Sequence, residues 1–167
     1  QGPHIPEEAI EELFHKLNAL KNGDTVVLAG SIPKSLPDDI YEKILGELKG
    51  RDIRAVVDAT GKLLLNTLSY KPFLIKPNHI ELGELFGRTD LSEEEITECA
   101  FRLKEKGTAN VLVSMAEKGA ILIDETGAVH KAPAPKGTVV NSVGAGDSML
   151  AGFISALEKG NSYDKAL

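Results

Sequence analysis

The chain carries a single cysteine, Cys99, in 167 residues. That excludes an intrachain disulfide and a cysteine-based zinc site. It also lacks a basic excess: 19 Lys and Arg stand against 25 Asp and Glu, for a net charge of −6. Without surplus cations to neutralise a phosphate backbone, nucleic acid is not expected as the main partner. A small phosphorylated ligand stays open, because it needs only a local positive site. No apolar run reaches the length of a membrane span and no signal peptide is visible, so no membrane partner is expected and a reducing cytoplasm is the expected setting. The four histidines, His4, His15, His79 and His130, show no metal-ligand spacing and read as solvated or internally satisfied.

What is present is an ordinary globular composition, 42% hydrophobic and 26% charged, long enough for one sizeable core. A first helix is expected from Pro6 to Leu20, ended by Asn22-Gly23, with Ile10, Leu13, Phe14 and Leu17 on its apolar stripe. Thr25 to Ala29 is a short apolar strand of the kind buried in a parallel sheet. A helix restarts at Pro37 and stops at Gly50. The unit then repeats: strand Ile53–Asp58, a short helix Leu63–Leu68, strand Phe73–Lys76, helix His79–Phe86 and a longer helix opened by Ser92 with Glu95 completing a capping box. Asn110–Val113 and Gly119–Asp124 are strands, and the turn Glu125-Thr-Gly127 leads into an antiparallel hairpin with Ala128–Ala132. Alternating strand and helix followed by a hairpin predicts a layered α/β fold with a mostly parallel sheet, in one domain over residues 1–167 with no second domain.

In such sheets ligands bind at the carboxyl ends of the strands. These strands end in Gly30-Ser31, in Asp58 with Thr60-Gly61, in Lys76-Pro77-Asn78 with Glu81 a turn further on, and in Ser114 with Lys118-Gly119 beyond it. Each has a plainer reading. Asp58 and Thr60 can form turns, Asn78 and Glu81 can cap a helix reciprocally, and Ser114 and Lys118 can be turn residues. Lys76 is harder to explain, since an ammonium closing an apolar strand needs an anion or a carboxylate to meet it.

Val139 to Phe153 draws these endings together. Two β-branched residues lead to Asn141-Ser-Val-Gly144-Ala145-Gly146-Asp147, and a helical pattern follows through Leu150, Phe153, Ile154 and Leu157. A glycine-rich turn opening a helix presents unpartnered N–H groups and the positive end of the helix dipole, which suits an anion. Asp147 sits beside that cradle as a candidate proton acceptor. The alternative is a tight turn in which Asp147 only N-caps the helix. No Gly-Lys-Ser/Thr follows, so this is not the Walker loop, and Met149 stands where the dinucleotide fingerprint requires a small residue.

Asn141-Ser-Val-Gly-Ala-Gly-Asp147-Ser, with Ala29-Gly-Ser-Ile-Pro33, Val57-Asp-Ala-Thr-Gly61 and Lys76-Pro-Asn-His-Ile-Glu81, resembles the ribokinase-like family of carbohydrate kinases over essentially the whole chain. The resemblance implies ATP as co-substrate, Mg²⁺ as cofactor and a sugar phosphate as acceptor. The motif wording leans toward enzymes that phosphorylate fructose 1-phosphate at O6, with tagatose-6-phosphate kinases as the near alternative. It implies Asp147 as the base and the N–H groups of Gly144, Ala145, Gly146 and Asp147 as the anion hole. It places Lys76, Asn78, Ser114, Lys118 and Gly119 on the nucleotide, Asn78 and Glu81 with Mg²⁺ through water, and Ser31 and Asp58 near the sugar phosphate. It further implies that the family's N-terminal strands and lid sheet, and its C-terminal end beyond Leu167, lie outside this chain. The chain is then a partial domain, the nucleotide-side core of a kinase that could form a homodimer at full length. A non-catalytic nucleotide- or anion-binding module is the alternative of another class.

Overall fold

The computed structural model describes residues 4–139 and 141–167. Val140, the second β-branched residue ahead of the glycine turn, lies outside the described residues. Two compact units are distinguished: one extends to Ile75 and takes in Glu105–Ala109, and the other comprises Lys76–Lys104 and Asn110–Leu167.

The first unit holds α1 (Glu7–Asn18), β1 (Thr25–Ala29), α2 (Ile40–Leu48), β2 (Arg54–Asp58), α3 (Gly61–Thr67) and β3 (Leu74–Ile75). β1 pairs with β2 and β2 with β3, both parallel, with Thr25 opposite Arg54 and Val56 opposite Leu74. Parallel neighbours cannot be joined by a tight turn, so α2 and α3 serve as crossovers. Val56, Val57, Leu74 and Ile75 are completely buried, which is why β2 and β3 carry apolar runs. Each such side chain contributes about 1.5–3 kcal/mol on leaving water. β1 corrects the expectation of a strand buried within the sheet: among the described residues it pairs with β2 alone, buries Leu28 and leaves Val27 46% exposed.

The boundaries differ from the predicted ones for local reasons. Pro6 is extended and serves as the N-cap, so α1 starts at Glu7. Its last turn ends at Asn18, and the Arg51 guanidinium donates to the Leu17 and Leu20 carbonyls at 2.9 and 2.6 Å, satisfying chain-end acceptors. α3 starts at Gly61 and tightens into a 3₁₀ turn over Leu68–Tyr70. The predicted strand Phe73–Lys76 keeps only Leu74–Ile75 as ladder residues. Pro77 has no N–H with which to extend it.

The second unit holds α4 (His79–Leu85), α5 (Glu93–Glu105), β4 (Asn110–Ser114), β5 (Ala120–Ile123), β6 (Val129–Ala132), α6 (Ala145–Glu158) and α7 (Tyr163–Ala166). The predicted β5–β6 hairpin is present, with Ile121 opposite Lys131, and β4 pairs antiparallel with β5 as a second ladder. Val111, Leu112, Val113, Ile121, Leu122 and Ile123 are fully buried. β6 alternates between exposed and half-buried residues, as a strand with one wet face should. The Ser92–Glu95 capping box forms, with Ser92 N–H donating to Glu95 Oε2 at 2.8 Å and Glu95 N–H to Ser92 Oγ at 3.2 Å. Among the described residues no helix is long and apolar enough to cross a membrane.

Candidate functional site

The glycine turn is built from local hydrogen bonds. Asn141 Oδ1 accepts the Val143 N–H at 2.8 Å, an Asx turn that folds the chain back. Ala145 N–H then donates to the Ser142 carbonyl at 3.1 Å, and the first helical bond runs from Ser148 N–H to the Gly144 carbonyl at 2.9 Å. Gly144 is the N-cap and is left-handed, with φ 77°. That conformation is cheap only for glycine. Asp147 is therefore the third residue inside α6, and the N-capping reading of Asp147 is corrected: the helix starts where Gly144 can turn left-handed. Ala145 N–H is already engaged in the turn, whereas the Gly146 and Asp147 N–H groups fall in the first turn, where the helix offers them no partner. Asp147 itself is exposed.

Lys76 faces this turn. It is 6% exposed, and its Nζ lies 3.2 Å from where a Cβ on Gly146 would stand. A Cβ at residue 146 would make the ammonium give by a few tenths of an ångström. A buried cation thus stands beside a helix N-terminus, which carries a partial positive charge of its own.

Lys76 leads through Pro77 to the α4 cap. Asn78 Oδ1 accepts the N–H groups of Ile80 and Glu81, each at 2.9 Å, and Glu81 Oε2 accepts the Asn78 N–H at 2.8 Å. Both plainer readings of this pair are thus realised as a complete capping box. Among the described residues no three His, Cys, Asp or Glu side chains gather as a metal site. With Asn78 Oδ1 and one Glu81 oxygen committed to the cap, the donor set suits a Mg²⁺ held through water and phosphate rather than in a protein cage.

Ser114, at the end of β4, bridges in parallel to Asn78, and its N–H donates to the Pro77 carbonyl at 3.2 Å. The structure therefore brings Lys76, Asn78, Glu81, Ser114 and the glycine turn into one unit. Lys118 is exposed and ends a 3₁₀ turn, Ala116–Lys118. Gly119 has φ 94°, and a Cβ there would lie 2.0 Å from the Ala132 carbonyl oxygen. Its glycine is thus explained by the hairpin backbone alone.

Ser31 and Asp58 belong to the first unit, at the carboxyl ends of β1 and β2. Gly30 N–H donates to the Asp58 carbonyl at 3.0 Å. Tyr41, which the sequence did not single out, donates its hydroxyl to the Gly30 carbonyl at 3.1 Å. Burial, and then the Asp58 charge, raise the Tyr41 phenol above its ordinary value. Only its place on the buried face of α2 could have signalled it. In the same unit a cleft of about 370 Å³ opens between Ile32, Asp38, Asp39, Glu42 and Lys62.

The pfkB family carbohydrate kinase signature matches residues 1–167. A 1-phosphofructokinase of Bacillus subtilis is 49% identical over 159 residues, covering 95% of this chain and 52% of that protein. A D-tagatose-1-phosphate kinase of Bacillus licheniformis is 39% identical, covering 100% of this chain and 55% of that protein. A crystal structure of a candidate phosphofructokinase from Staphylococcus aureus superposes with TM-score 0.90 at 38% identity, covering 99% of this chain and 54% of that one. The chain thus spans about half the length of the relatives it matches. Its fold is that of the ribokinase-like kinases, and it belongs to the pfkB family of carbohydrate kinases.

Proposed function

We propose that residues 1–167 form a partial ribokinase-like domain, the nucleotide-side part of an ATP-dependent kinase that phosphorylates fructose 1-phosphate at O6. The observation that carries this is Lys76 Nζ set against Gly146 at the start of α6, with Asp147 one residue on. Phosphoryl transfer asks for positioning, charge neutralisation and a modest base rather than a covalent nucleophile. In this reading the N–H groups of the Gly144–Asp147 turn, chiefly those of Gly146 and Asp147, hold the transferring phosphoryl group. Asp147 accepts the proton of the sugar hydroxyl as its oxygen bonds to the γ-phosphorus and the bond to the departing ADP oxygen breaks. Lys76 meets a nucleotide phosphate, while Ser114, Lys118 and Gly119 line the nucleotide. Ser31 and Asp58 serve the sugar phosphate. Asn78 and Glu81 would hold Mg²⁺ through its waters, and the ion would neutralise charge on the phosphates.

The choice of fructose 1-phosphate is supported by the Bacillus subtilis relative; the tagatose phosphates are the alternative sugars. For the chain by itself a second reading, a nucleotide- or anion-binding module without turnover, is favoured by its spanning about half of its relatives. Asp147→Asn in the full-length protein tests the first. Turnover with fructose 1-phosphate should fall about 10²–10⁴-fold while ATP affinity changes little. Turnover within a few-fold of the parent would remove Asp147 as the base. ADP release compared between this chain and the full-length protein separates the two readings.

A further inference from the structure

A second cluster of titratable side chains, none of which enters the reading above, lies on the β5–β6 hairpin and α7. His130 of β6 touches two carboxylates at once. Its Nε2 is 2.8 Å from Asp124 Oδ2, and its Nδ1 is 2.5 Å from Asp164 Oδ1. The imidazole is 14% exposed. A neutral imidazole has one N–H and one lone pair, so it can donate to only one of two ionised carboxylates. Asp124 is kept ionised by its other oxygen, which accepts the Thr126 N–H at 2.8 Å, the Thr126 hydroxyl at 2.6 Å and the Ala128 N–H at 3.0 Å. Both contacts together therefore require the imidazolium.

We propose that His130 is a proton-operated clasp that ties α7 to the β5–β6 hairpin. Charged, the ring donates to both carboxylates. When it loses a proton, the buried Asp124 arm retains the remaining N–H, because Asp124 is fixed by three other donors. The bare Nδ1 then faces the Asp164 carboxylate, lone pair to charge, and that side chain, 76% exposed, turns to water. The hydrogen bond from His130 to Asp164 is lost, while the His130 and Tyr163 rings, with centroids 5.8 Å apart, stay in contact.

The other titratable groups around the ring are consistent with this. On the hairpin they are Asp124, Glu125 and Lys131; on α7 they are Tyr163, Asp164 and Lys165. Lys131 is paired with Glu93 of α5, and Lys104 of α5 donates to the Glu125 carbonyl. Tyr163 donates its hydroxyl to Glu125 and stacks on Phe153 of α6 with ring centroids 6.3 Å apart. The opening is thus confined to the Asp164–Leu167 end, with Tyr163 still docked. The hydrogen bonds to Asp124 and then Asp164 raise His130 above its ordinary value. The clasp is therefore complete below about pH 6.5 and is lost as pH rises through that raised value.

An NMR titration of the chain tests it. The His130 ring should titrate with a midpoint above about 6.5, and the amide resonances of Asp164–Leu167 should move with the same midpoint. Asp164→Asn decides the mechanism, since the amide can either accept from Nδ1–H or donate to a bare Nδ1. In that variant the α7 amides should no longer follow pH, and the midpoint should fall toward the ordinary histidine value, because one of the two carboxylates that raise it is gone. A wild-type midpoint at or below about 6.5, or α7 amides indifferent to the titrating ring, overturns the clasp. So does an α7 titration that persists in a folded Asp164→Asn variant; should that variant not fold, the wild-type titration decides alone.

Discussion

Replacing Gly119 with alanine should destabilise the second unit far more than its one added methyl suggests. The residue has φ 94° and ψ −134°, a region populated essentially by glycine, and holding alanine there costs about 1–3 kcal/mol. The methyl would also meet main chain on the facing strand: 2.0 Å to the Ala132 carbonyl oxygen, and 2.8 Å to both the Ala134 nitrogen and the Pro133 carbonyl carbon. A long side chain could swing aside, but the hairpin backbone can yield only by shifting its register with β5. Overpacking of that kind costs about 1–3 kcal/mol more. The expected loss is about 2–6 kcal/mol. Gly127→Ala is the internal control: φ there is 88°, but the nearest atom is Phe101 Cε1 at 3.9 Å. It should cost only the left-handed strain, about 1–2 kcal/mol. Urea denaturation of both variants, with unchanged slope, measures the two losses. Equal losses, or a Gly119→Ala loss below about 1 kcal/mol, the range of an ordinary surface change, would refute the backbone-contact explanation.

Gly146→Ala should change stability by no more than about 1 kcal/mol in either direction, because a helix-propensity gain of up to about 1 kcal/mol is set against a methyl 3.2 Å from the buried Lys76 Nζ. It should weaken ATP binding by the full-length protein about tenfold as the methyl displaces the Lys76 ammonium, the equivalent of a charge-assisted hydrogen bond; unchanged affinity by calorimetry would dissociate Lys76 from the phosphates. Asn78→Ala should cost about 1 kcal/mol through loss of the α4 cap. Asn78→Ser should restore that stability in thermal unfolding without restoring turnover, and recovery of both would reduce Asn78 to a cap. Asp124 is buried, which opposes ionisation, but the Thr126 hydroxyl, His130 and the Ala128 and Thr126 N–H groups outweigh that and hold it at about 2. Its folded value is depressed, so its contribution of about 2 kcal/mol is present above pH ~4 and lost as pH falls toward 2. Asp124→Asn should flatten that stretch of the stability–pH curve; a curve identical to the parent's would contradict the assignment.

What could be read in advance divides along the range of the interactions. The β5–β6 hairpin and both capping boxes rest on near neighbours in the chain, so Glu125-Thr-Gly127 and the Asn78–Glu81 and Ser92–Glu95 spacings reveal them, whereas β2 and β3 pair at long range and are legible only because full burial leaves apolar runs. The α6 start is an intermediate case. The pattern locates a turn and a helix, but Gly144's left-handed backbone, rather than the acidic residue that resembles a cap, fixes where the helix begins. Gly119 reads as the first residue of a strand, and nothing local shows that the Ala132–Ala134 backbone presses on it. His130 reads as solvated or internally satisfied, and only the fold, which brings Asp124 and Asp164 against its two nitrogens, decides for the second. The same limit governs the site. Gly146 looks locally like one more flexible turn residue, and Lys76 like an awkward strand end. Their proximity shows only when the fold sets the ammonium 3.2 Å from where a Cβ on residue 146 would stand. A glycine in such a turn can therefore be favoured by the protein's own cation as much as by any anion the turn is proposed to hold, and a motif alone does not distinguish the two.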